Sequence, residues 1–376
     1  MKKINNKIYE ADCIIIGAGI FGLYAAYLLT KQGKKVIVLE KSLKAFTRAS
    51  SINQARVHNG YHYPRSYQTA KKAAFYYNRF VHDFDFAINN SFKQIYAISN
   101  NNSKTSSKKF IDFCHSLEIP LKEIDSKEYF VKGSVEGAFI ADEHSFDFDE
   151  IKKYLLENIN TGTQFFYDVH IETVKKNAFF YTISLSSGIS CIAPVVINAT
   201  YSGINNIINQ FGHENEKFDV KYELCEVAFC KVPQKLRDVG ITVMDGDYFS
   251  FMPFGNSKLH SFTSVEHTPH YIPYNTLCRT SDIQSVCTMH NVRGCVICAQ
   301  NVQSAWQKME KLYKIYLKPS YSLEYQYSQY EVKIILTESE EDDSRPTIIK
   351  KHTTSPTFMS VLSGKLSTIY DLEEYL

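Results

Sequence analysis

The clearest pattern along the chain is a pair of continuous apolar runs, Cys13-Ile14-Ile15-Ile16 and Val36-Ile37-Val38-Leu39, with a helix-like run between them. Apolar runs this short, bounded by turn residues, read as buried parallel strands joined by a crossover helix. Residues 93–99 alternate as a short strand and give way to a polar loop, Asn100-Asn101-Asn102-Ser103-Lys104. Asp147-Phe148-Asp149-Glu150 has capping-box character and opens an amphipathic helix through Leu156. Strand-like runs follow at 165–174 and 179–185. A buried strand, Val195-Val196-Ile197-Asn198-Ala199, then ends in Thr200-Tyr201-Ser202-Gly203. Ile241-Thr242-Val243-Met244 and Tyr248-Phe249-Ser250-Phe251 flank Asp245-Gly246, a hairpin signal. Residues 299–317 read as a helix carrying the only tryptophan, Trp306. The last strand is expected at 330–337 and a C-terminal helix at 366–376. No internal repeat is visible.

Between the first two strands stands Gly17-Ala18-Gly19-Ile20-Phe21-Gly22. These letters alone are weak evidence, but strand before and helix after make them a dinucleotide-binding fingerprint. Gly17 permits the tight turn, Gly19 lets the backbone approach a pyrophosphate, and Gly22 lets helix and strand pack closely. The pyrophosphate would sit on the helix N-terminus, where unpaired N–H groups and the dipole favour an anion. Ala26 and Gly33 fall where the helix must pack tightly and then stop. Glu40 closes the second strand, placed to accept hydrogen bonds from a ribose diol. A signal anchor beginning at Met1-Lys2-Lys3 is disfavoured. The run from Cys13 to Leu29 is shorter than the roughly 20 residues a span needs and lacks a clear small-residue cleavage site.

Composition narrows the picture. The 376 residues suffice for two domains with sizeable cores. A net charge of +2 implies neither nucleic acid nor an acidic membrane surface as partner. Nine cysteines, an odd number, fit a reducing cytoplasm better than a disulfide framework. Cys295 and Cys298 form a CxxC, but Cys278 and Cys287 make no second close pair, so no metal centre is expected. The 26 tyrosines and 25 phenylalanines point to a large aromatic core.

The fingerprint ending on Glu40, the Val195–Ala199 run and a late Arg345-Pro346-Thr347 together resemble the D-amino-acid oxidase-like FAD-dependent oxidoreductases, the relatives of glycine oxidase and L-2-hydroxyglutarate oxidase. The resemblance implies an α/β fold: a Rossmann-like FAD-binding domain with an appended antiparallel-sheet substrate domain. The expected FAD domain is discontinuous, 1–90, 145–205 and 330–376, and the substrate domain takes 91–144 and 206–329. By the same resemblance FAD would be held by Gly17, Gly19, Ile20, Phe21, Gly22, Glu40 and Lys41 of the fingerprint. Ser50, Ser51, Arg56, Val57 and His58 would follow on the crossing segment. Val169, Ala199, Thr200 and Arg345 would complete the set with Ser363-Gly364-Lys365, the flavin-contacting turn before the last helix. Lys365 there would stabilise negative charge developing on the flavin as it is reduced. Some relatives attach flavin through an earlier histidine. In this register that position is Ile52, so the FAD is expected to be non-covalent.

The richest polar cluster runs from Ser50 to Arg65, and its His58-Asn59-Gly60 matches a His-x-Gly near the flavin ring in L-2-hydroxyglutarate oxidases and glycerol-3-phosphate dehydrogenases. A base must take an O–H or N–H proton while hydride passes to flavin N5. His58 or His62 has the near-neutral intrinsic pKa for that. Arg56, Arg65 and Arg345 are candidates to hold a substrate carboxylate or phosphate, and the planar guanidinium suits either. Arg345 is also a catalytic candidate, although pairing with Glu340, Glu341, Asp342 or Asp343 would remove it. Tyr61 and Tyr248 are further substrate candidates. Each of these has an ordinary scaffold role as its alternative.

The expectation is therefore an FAD-dependent enzyme that oxidises a CH–OH or CH–NH bond of a small molecule, with oxygen or another acceptor taking the electrons. Hydroxy acid, amino acid and sugar-derived substrates all stay open. A UDP-galactopyranose mutase-like isomerase is disfavoured because Lys41-Ser42-Leu43-Lys44-Ala45 stands where those enzymes carry Gly-Gly-Asn. An NAD-dependent dehydrogenase and a binding protein with a structural flavin remain as alternatives.

Overall fold

The computed structural model describes residues 7–246, 248–271, 302–339 and 345–376. Cys13–Ile16, buried at every position, pairs in parallel with Val36–Leu39 on one side and Val195–Asn198 on the other. Gln164–Phe166 extends this sheet beyond Val36–Leu39, and Thr357–Ser363 followed by Thr347–Thr354 extends it beyond Val195–Asn198. All pairings are parallel except the last, an antiparallel hairpin. Both faces of the central strands are covered, which is why they read as unbroken apolar runs rather than alternating ones.

Helix Ile20–Lys31 crosses between the first two strands. It lies very close to the turn before it: a Cβ on Gly22 would fall 1.9 Å from the Gly17 carbonyl oxygen. Gly17 itself has φ +103°, and a Cβ there would meet the Ala199 carbonyl oxygen at 2.7 Å. Helix Phe148–Asn158 packs beside it and is capped as its sequence predicts, Asp147 accepting from the Asp149 and Glu150 amides.

The second large layer is a nine-stranded, mainly antiparallel sheet. The expected hairpin joins Val239–Met244 to Phe249–Pro253 within it. Its face packs an aromatic core in which the rings of Phe249, Phe251 and Phe262 stack nearly parallel. A smaller sheet pairs Arg56–Val57 with His144–Phe146 and so fixes the polar cluster to the middle of the chain. No helix among the described residues is long and apolar enough to cross a membrane.

Several sequence-derived bounds shift. The run expected at 165–174 is two strands in different sheets, Gln164–Phe166 and Ile171–Lys176, with Val169 in the connection between them. The strand expected at 330–337 is Glu324–Leu336, which pairs along its length with Val220–Lys231. The domain boundary expected at 330 therefore falls inside one strand, because backbone pairing in the large sheet carries the strand across it. The helix with Trp306 spans Trp306–Tyr316, and the C-terminal helix is the 3-10 stretch Leu366–Glu374. The cysteines at 278, 287, 295 and 298 lie outside the described residues, as do Glu340 to Asp343.

Candidate cofactor and substrate site

The carboxyl ends of Cys13–Ile16, Val36–Leu39 and Val195–Asn198 open onto a cavity of about 1090 Å³, where ligands of open α/β sheets bind. Gly17, Gly19, Ile20 and Phe21 form its floor at the helix N-terminus. Gly19 is the helix N-cap without a side chain, and Ser50 Oγ accepts the Ile20 amide at 2.9 Å. Glu40 reaches in from the end of its strand, beside Lys41. Its carboxylate accepts the Ala18 amide at 2.7 Å and the Ser42 amide at 2.8 Å, which fixes its orientation. Val169, Ala199 and Thr200 line the wall beside these, and Arg345, Ser363, Gly364 and Lys365 close another side.

Three residues expected at the cofactor stand behind the wall. Gly22 serves the helix–strand contact described above. Val57 sits between Arg56 and His58, both lining the cavity, so strand alternation turns it into the core. Ser51 is buried and donates to the Arg48 carbonyl at 3.1 Å.

The polar end of the cavity is built on a buried cluster. Arg56 donates to Tyr96 at 2.8 Å, to Glu143 at 3.2 Å and to Thr242 at 3.1 Å, and it also bonds Ser250. Glu143, 1% exposed, accepts in addition from Tyr96 at 2.7 Å and from the Asn59 amide at 3.0 Å. Its other neighbour is His58 Nδ1 at 3.7 Å. Burial opposes the Arg56 charge, but Tyr96 and Glu143 outweigh it and hold its pKa above the ordinary value. Arg56 thus turns most of its donors toward protein groups, although its Nε has no hydrogen-bond partner.

His58 and His62 both line the cavity, their ring centroids 5.5 Å apart. Burial pushes the pKa of His58 well below the usual imidazole range, and the Lys365 and Arg56 charges push it further. Burial does the same to His62, with Arg56 the leading charge. Lys365 is 6% exposed, its ammonium nitrogen 3.6 Å from the Tyr63 ring centroid. Burial, then Arg56, holds its pKa well below that of a free lysine.

The other substrate candidates are drawn elsewhere. Tyr61 is fully buried, bonding the Pro120 carbonyl and accepting the Asp142 amide at 3.2 Å. Arg65 donates to Asp245 at 3.2 Å, and Tyr248 packs in the aromatic core, so neither lines the cavity. Sequence reasoning also passed over Arg48 and Glu331. They form a two-pronged ion pair at 2.6 Å on the cavity wall, joining segments 283 residues apart. No local signal announces such a pair.

A long cavity wall with glycines at a helix N-terminus, an oriented acidic residue and buried basic groups at the other end fits a dinucleotide flavin. The family description "FAD dependent oxidoreductase" (DAO) matches residues 12–316. This chain belongs to the DAO family of FAD-dependent oxidoreductases. That membership decides against an NAD-only dehydrogenase and a flavin-dependent isomerase.

Solved structures share the fold across nearly the whole chain. Glycine oxidase from Geobacillus kaustophilus aligns with TM-score 0.66 and 11% identity, covering 96% of this chain and 91% of its own. L-alpha-glycerophosphate oxidase from Mycoplasma pneumoniae, solved with FAD bound, gives 0.70 and 14%, covering 97% and 93%. L-proline dehydrogenase from P. horikoshii gives 0.63 and 11%, covering 97% and 90%. No curated protein sequence matches the chain.

Proposed function

We propose that this oxidoreductase removes a hydride from a CH–OH or CH–NH carbon of a small hydroxy acid, amino acid or sugar-derived substrate. The observation that carries the reading is His58. It lines the cavity, its ring is held neutral by burial, and it stands between the buried Arg56–Glu143 pair, whose carboxylate is 3.7 Å from its Nδ1, and the cavity. A neutral imidazole offers a lone pair to the substrate O–H or N–H proton, and the Glu143 carboxylate beside its Nδ1 favours the imidazolium that forms as that proton arrives. Arg345, also on the wall, is the candidate to hold a substrate carboxylate or phosphate. FAD bound at this wall supplies the two-electron acceptor, and oxygen or another acceptor takes the electrons onward. Ile52 lines the cavity and offers no nucleophile, which supports a non-covalent cofactor. Residues Cys13, Cys114, Cys191, Cys225 and Cys230 are free thiols, which supports a cytoplasmic setting.

The test is anaerobic addition of hydroxy acids, amino acids and glycerol phosphate to the purified yellow protein, followed at the flavin bands. One class should bleach the flavin in wild type. In His58→Ala the bleaching should slow by about 10²–10⁴-fold, the span typical of a lost general base. Because the folded His58 titrates below its ordinary range, the wild-type rate should stay flat through neutral pH and fall only in acid. A rate that fell between pH 8 and 6 would contradict an unprotonated base of this kind. Acid precipitation of the same sample should leave the colour in the supernatant.

A further inference from the structure

At the edge of the six-stranded sheet, His352 on the strand Thr347–Thr354 faces the turn that carries His213 and Glu216 after helix Ile204–Gln210. None of the three lines the cavity. One Glu216 oxygen lies 2.9 Å from His213 Nδ1 and the other 2.6 Å from His352 Nδ1. One ligand-type atom from each residue falls within 4.8 Å of the others, the one such group among the described residues. The His352 side chain is shut off from solvent at 0% exposure, whereas Glu216 is 37% exposed. The cluster therefore has a closed bottom and an open mouth.

We propose that His213, Glu216 and His352 form a divalent-cation site with two imidazoles and one carboxylate, the donor set that suits zinc or a similar first-row ion. In the structure both Nδ1 atoms face the carboxylate. An ion entering between them requires each ring to carry its proton on Nε2 instead. For His352 the acceptor is in place: Nε2 lies 3.0 Å from Ser360 Oγ, which is itself held by Asn198 at 3.1 Å. Such an outer partner fixes ring and tautomer in metal sites. Lys350, which donates to the Glu216 backbone carbonyl at 2.8 Å, is a cation beside the site. It lowers the affinity without occupying a ligand atom. A bound ion would tie the edge strand to the turn after a helix whose Asn206, Ile207 and Gln210 line the cavity.

The experiment is equilibrium dialysis of the full-length protein, as isolated, against zinc, with bound metal counted by elemental analysis. The site predicts one zinc per chain in wild type. Affinity should fall at least tenfold in His213→Ala, whose side chain is partly exposed on a turn, and in Glu216→Gln. Zinc should also raise the melting temperature of wild type and not that of either folded variant. Absence of zinc from wild type overturns the proposal. Equal binding by wild type and variants does so too, since it assigns the metal to other groups, the cysteines foremost.

Discussion

At the scale of single residues, Glu143 decides whether the polar cluster beneath the cavity is tolerable. It is buried with Arg56, Tyr96 and the Asn59 amide as donors, so its removal leaves a buried guanidinium without its counter-charge and a buried phenol without its acceptor. Breaking a buried pair from one side costs about 3–5 kcal/mol. Glu143→Ala should lose about that much in denaturant unfolding, and a loss below about 1 kcal/mol would mean that water or rearrangement replaces the carboxylate. Arg56 and His58 were legible in the sequence as residues of one polar run. Which of that run would face the cavity was not. Tyr61 and Arg65 share the same polar stretch, yet one is fully buried in the core and the other reaches Asp245. In an irregular segment no period assigns side chains to a face, so direction is settled only by packing.

At the scale of elements, the strand–turn–helix at the start of the chain was almost fully readable, because its constraint is local. The Gly22 contact with the Gly17 carbonyl leaves no room for a methyl group, so Gly22→Ala must push helix Ile20–Lys31 off the sheet. Overpacking of this sort costs about 1–3 kcal/mol, and FAD binding should be lost with it. Gly33→Ala is the contrasting case. A Cβ there meets nothing within 4 Å, but φ is +76°, so only backbone strain of about 1–2 kcal/mol applies and FAD binding should persist. Calorimetry of both variants with and without FAD separates the two. The Asp147 cap was readable for the same local reason. The split of 165–174 was not, since an apolar run carries no mark of which sheet each half will join.

At the scale of the whole molecule, the layering of a mostly parallel sheet with a larger antiparallel one followed from the order of the elements and the family resemblance. The wall of the cavity did not, because it is assembled by contacts such as Arg48–Glu331 between distant segments. The two large sheets also interleave the chain. Val220–Lys231 and Glu324–Leu336 pair along their length, and Thr347–Ser363 returns to the sheet that Cys13–Ile16 began. Any break introduced between residues 272 and 301 therefore puts partners of both sheets into different fragments. The molecule should behave as two interlocking halves rather than two beads on a string. An engineered protease site in that interval, once cut, should leave a species that elutes from gel filtration with the uncut protein and comes apart only in denaturant. Fragments that separated under native conditions would contradict the pairing. Fragments that stay together would mean that the paired strands, and not chain continuity through that interval, hold the molecule as one.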